Sequence, residues 1–135
     1  MPSESRTLLV VVLRFFGALD LIAFLAIMMP QTWMASAHSV LGLGEFPDAP
    51  IVGYLARSSS ALYALHGAMI LFISFDVQRY ARLITFLAIA ALIHGAVMLG
   101  IDWAVGMPWV WTMFEGPGFA ASGIVVLMAK RQSNL

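Results

Sequence analysis

The sequence predicts an all-α membrane protein, a four-transmembrane-helix up-down bundle with both termini cytoplasmic. Three observations carry this. The 135-residue chain is 61% hydrophobic and 10% charged, too little polar surface to cover a water-soluble globule of its size. Four largely apolar stretches, residues 8–29, 51–75, 82–103 and 108–129, match the roughly 20 residues that a bilayer requires of a helix. Basic residues mark one side only. Arg6, the Arg79/Arg82 pair and Lys130-Arg131 flank that side, whereas the connections at 31–50 and 102–107 contain acids and no Lys or Arg, the pattern of a chain whose ends face the cytoplasm.

Composition also narrows the function. Seven basic and seven acidic residues give zero formal net charge, so there is no basic excess to attract nucleic acid. Cysteine is absent, which excludes disulfides, thiolate metal sites and thiol redox chemistry. The length fits one transmembrane domain, residues 1–135, with almost nothing outside the bilayer. The partners expected are therefore the lipid bilayer, another membrane protein, or a second copy of the chain.

Residues 1–6 form a short polar lead. The first span, 8–29, contains Arg14 and Asp20 and stops at Pro30. Ala35-Ser36-Ala37 has the small residues of a signal-peptidase site, but a signal core is shorter and does not hold both an Arg and an Asp. In the following connection Trp33, Ala37, Val40 and Leu41 recur at helical spacing, which predicts a short interfacial helix in the first external loop, with Trp33 at headgroup depth. Gly42 and Gly44 end it, and Pro47-Asp48-Ala49-Pro50 turns the chain into the second span. A tight connection leads to the third. The fourth opens at Pro108 and carries Pro117, read here as a kink within one continuous span rather than the start of a shorter helix. Small residues at four-residue spacing, Ser60/Ala64/Ala68, Ala91/Gly95 and Gly118/Ser122, would let helix backbones approach closely.

Each span holds one titratable group at a similar depth. At about 1.5 Å of rise per residue, Asp20, His94 and Glu115 lie roughly 20 Å and His66 roughly 15 Å above the cytoplasmic boundary. Ionisable groups inside a membrane almost always face the bundle interior or a wet cavity. Asp20, His66, His94 and Glu115 are thus the candidate metal ligands, and two imidazoles with two carboxylates suit iron, manganese or zinc. His66 and His94 on facing helices also suit a haem. Ser59, Tyr63 and His66 fall on one stripe, a second shell for such a cofactor or a proton path. The triplet His-Gly-Ala occurs at 66–68 and 94–96, and each glycine would thin the helix beside its histidine. The competing reading is that the histidines hydrogen-bond within the bundle and fix its packing.

The other polar residues have structural readings. Arg57 and Asp102 are expected to bridge near the external end, with Glu115 as a second partner for Arg57. Arg14 is expected to snorkel to headgroups or reach Asp20 or Glu115. Trp103, Trp109 and Trp111 read as an interfacial belt, and His38 as a solvated loop residue.

The segment Trp33…His38…Leu41-Gly42-Leu43-Gly44, the Pro47…Pro50 turn and the start of the second span, Tyr54-Leu55-Ala56-Arg57-Ser58, resemble small bacterial four-span proteins loosely similar to the DoxX-like membrane families. The resemblance implies a bacterial inner-membrane bundle and supplies no catalytic residues. The function expected is a binding or accessory protein with a buried His/carboxylate centre. The alternatives are a metal- or haem-binding redox protein and a proton or small-solute transport component.

Overall fold

The computed structural model describes residues 4–135, and they are helical apart from turns and connections. Helix α1 (Glu4–Ile22) begins inside the expected polar lead, of which residues 1–3 lie outside the described residues. Glu4 in its first turn complements the positive end of the helix dipole. At Ala23 the chain tightens, Ala23 and Ala26 donating to carbonyls three residues back, and continues as α2 (Phe24–Ile27) up to the break at Pro30.

Helix α3 (Gln31–Val40) occupies the first connection. Its expected stripe does not pack inward: Trp33 is 66% and Val40 87% exposed, while Met34 is the buried residue. That outward apolar face is what a helix resting against lipid presents. Gly42 and Gly44 end it at φ 75° and 84°, values that favour glycine. The His38 ring donates to the Gly44 carbonyl at 3.1 Å and meets the Phe46 ring edge-on.

Helix α4 (Pro50–Ile73) starts with proline in its first turn, where the missing N–H costs nothing. Helix α5 (Ala81–Val105) closes on Gly106 at φ 71°, with the Met107 N–H donating to the Asp102 carbonyl. Helix α6 (Trp109–Gln132) runs unbroken through Pro117, as the continuous reading expected.

Three helical stretches are long and apolar enough to cross a membrane: Glu4–Ile27, Ala81–Val105 and Trp109–Gln132. Four were expected, so residues 51–75 are the correction. Helix α4 has the length, but Arg57, Ser58, Ser59, Ser60 and His66 dilute its hydropathy. The outward faces are mainly apolar. Only 17%, 17% and 22% of the most apolar windows of the three spans are buried inside the protein, so most of that surface needs a non-aqueous neighbour.

The helices pair antiparallel. Gly17 of α1 meets Gly67 and Leu71 of α4, and Arg57 at the other end of α4 reaches Ile27 and Met29. Gly95 and Gly116 meet between α5 and α6, as do Gly123 and Ala88. The core lies at the end where α1 begins and α4 joins α5, built from Leu9, Leu13, Ile73, Ile84, Val126 and Ala129. Above that plug the bundle opens.

Candidate functional site

The site is set up by glycine. A Cβ on Gly67 would lie 2.5 Å from the Gly17 carbonyl oxygen and from the Leu21 nitrogen, and 3.0 Å from the Asp20 carbonyl carbon. With no side chain there, α4 seats directly on the backbone of α1. The residue before Gly67 is His66, and its Nδ1–H donates to Asp20 Oδ2 at 2.8 Å. The other ring nitrogen, Nε2, has no partner among the described residues. In the neutral ring that nitrogen is an acceptor.

The pair borders a cavity of about 370 Å³ between α1, α4, α5 and α6, whose base is the core plug and whose walls are mainly apolar. The His66 and Asp20 side chains are 41% and 22% exposed, so the cavity communicates with the outside of the bundle. Glu115 enters from α6, its Oε2 accepting a hydrogen bond from the Trp111 indole N–H. Phe119, one turn further along α6, stacks on Tyr63 with centroids 5.8 Å apart and makes a T-shaped contact with the His94 ring at 4.7 Å. Tyr63 stands within electrostatic reach of both Glu115 and Asp20.

A second, wider cleft of about 750 Å³ adjoins the first between the end of α3, Tyr63 and the tryptophan-rich start of α6. Phe114, Glu115 and Phe119 line both. The two spaces are neighbours across one carboxylate and two aromatic rings.

The sequence-derived ligand set is divided by this geometry. Asp20 and His66 are brought together, and Glu115 borders the same cavity. His94 is not on its wall: it sits on the exposed side of Phe119. Among the described residues no three of His, Asp and Glu stand close enough to hold one metal ion, so the set Asp20, His66, His94 and Glu115 is not assembled. Ser59 is exposed and lines neither space, so the stripe with Tyr63 and His66 is interrupted at that end.

The cationic side chains also correct the reading. Arg57 makes no bridge to Asp102 or Glu115. Its Nε–H and Nη2–H donate to the carbonyls of Ile27 and Met29, both at 3.1 Å, and its Nη1–H to that of Gly53 at 3.4 Å. The break before Pro30 frees the carbonyls at the end of α2, and the guanidinium satisfies two carbonyls there. Asp102 is buried with Oδ2 unpartnered among the described residues. Arg14 reaches neither acid; it donates to Ser74 Oγ at 3.4 Å and lies 5.4 Å from the Phe75 ring centroid.

Two participants were missed from sequence. Trp111 was assigned to the belt, although it lies four residues before Glu115 on the same helix face. Phe119, the ring shared by Tyr63 and His94, lies four residues after Glu115, and that spacing was its only signal.

No family model, curated protein or solved structure matches this chain.

Proposed function

We propose that this chain is a small integral membrane binding protein that holds a lipophilic molecule between its helices, with the polar end of that molecule at the Asp20–His66 pair. One observation carries the reading: an otherwise apolar cavity, open to the outside, is bordered by the hydrogen-bonded Asp20–His66 pair. Pockets for small molecules have this character, apolar walls with a small number of oriented polar groups, and ionisable residues inside membranes mark such sites by default. The Asp20–His66 bond fixes the imidazole so that Nε2 is offered as an acceptor.

In this reading α4 crosses the membrane with the three apolar spans, because its polar residues are largely satisfied within the bundle: Arg57 by carbonyls, His66 by Asp20, Ser60 by the Ala56 carbonyl. The distribution of Lys and Arg supports an orientation with both termini cytoplasmic, and the bacterial inner-membrane location rests on the DoxX-like resemblance. The broad apolar outer faces of the spans support an accessory role beside another membrane protein or a second copy of the chain.

Native mass spectrometry of the protein, extracted from its membranes in mild detergent, tests the reading. The wild type is expected to retain a lipophilic species that the His66→Leu variant loses while remaining folded by circular dichroism. Identical adducts in both proteins would refute the assignment of the polar anchor.

A further inference from the structure

The lining of the two spaces has a charge pattern that goes beyond polarity. Asp20 and Glu115 are acids, and no Lys or Arg lines either space. The nearby arginines are engaged elsewhere, Arg57 on the carbonyls of Ile27, Met29 and Gly53, and Arg14 on Ser74 and Phe75. The single basic group present is His66. The lining thus carries two carboxyl groups and one imidazole, with no permanent positive charge to oppose them. Such a set of acceptors favours a ligand that brings the positive charge the lining lacks.

The surrounding rings favour the same partner. Phe114 and Phe119 border both spaces, and Tyr63 and Trp111 continue the aromatic lining into the wider cleft beside Glu115. An aromatic face attracts a cation through its quadrupole, and aromatic cages recognise quaternary ammonium groups. The Trp111 indole holds the Glu115 carboxylate in place.

We infer that the occupant is a lipophilic organic cation, a molecule with an aromatic or alkyl body and a charged ammonium-like centre seated between Glu115 and the Asp20–His66 pair. This rests on the cavity reading above and assigns its ligand class. A permanently charged probe is the decisive one, because it has no proton to donate and isolates charge from hydrogen bonding.

Equilibrium dialysis of the full-length protein in uncharged detergent, against tetraphenylphosphonium, its near-isosteric anion tetraphenylborate, and neutral 1-dodecanol, tests it. Tetraphenylphosphonium is expected to bind at least about tenfold more tightly than tetraphenylborate, and Asp20→Asn or Glu115→Gln to weaken it about tenfold each. Glu115→Gln leaves the Asp20–His66 bond untouched and serves even if Asp20→Asn disturbs folding. Equal binding of anion and cation, or cation binding unchanged in Glu115→Gln, overturns the ligand class. Dodecanol bound by the wild type and weakened by His66→Leu would then leave the cavity reading standing. Failure of all three probes to bind overturns both.

Discussion

The two helix pairs of this protein are joined by different means. Between α5 and α6 the contact is backbone on backbone: a Cβ on Gly116 would lie 2.6 Å from the Gly95 carbonyl oxygen, and one on Gly123 2.5 Å from that of Ala88. Two turns separate these crossings, so the seam is long, and no side-chain hydrogen bond between the two helices appears among the described residues. Between α1 and α4 there is one glycine crossing, Gly17 with Gly67, and beside the core residues that both helices supply there are polar contacts: Arg14 to Ser74, Asp20 to His66, and Arg57 to the chain end beyond α2. Arg57 and His66 of α4 thus fasten one pair, while close backbone approach at small residues joins the other.

Substitution at the α5–α6 seam should have the largest effect. Gly116→Val is expected to lower stability by about 3 kcal/mol, the upper end of what overpacking costs when no side chain can move aside, measured by titration with sodium dodecyl sulfate from mixed micelles. A loss below that of the α1–α4 variants would break the contrast between the pairs. Next comes Arg57→Met, which strands the Ile27 and Met29 carbonyls and should cost about 2 kcal/mol in the same titration. Arg57→Lys should recover only part of this, because one ammonium cannot reproduce the planar fork. A double-mutant cycle on Asp20→Asn and His66→Ala should return a coupling between about 0.6 and 1.7 kcal/mol, the average and the maximum for hydrogen bonds between membrane helices. A coupling of zero would mean that the pair does not fasten α1 to α4. The smallest effect has the opposite sign. Gly100 lies on α5, and a methyl added there would meet nothing within 4 Å, so Gly100→Ala should stabilise by roughly 0.5–1 kcal/mol through helix propensity alone.

Most of the helical pattern is legible in the sequence because it follows from length and apolar periodicity. The continuity of α6 through Pro117 and the stop of α3 at Gly42 are of this kind. The site is only partly legible, since depth along a helix says nothing about direction around it. On α5 the buried positions are Ile84, Ala88, Gly95 and Asp102. His94, one residue before Gly95, is turned about 100° from that line and meets the outer side of Phe119. His66 precedes Gly67 in the same way, but the partner helix there presents Asp20, so the ring finds a carboxylate. One triplet thus yields two environments, and only the identity of the facing helix decides between them. The expected Arg57–Asp102 bridge failed for a related reason: the break before Pro30 creates free carbonyls that compete for the guanidinium, a consequence of helix ending rather than of charge.

The glycine seam also carries a consequence for temperature. Glycine and alanine have no rotamers to lose, so the crossings they make between α5 and α6 forfeit almost no side-chain entropy, whereas immobilising Arg57 forfeits up to about 1.5–2 kcal/mol. That penalty grows in proportion to absolute temperature. On warming, the α1–α4 side of the cavity is therefore the first to loosen, and the α5–α6 side remains as the rigid wall against which it moves.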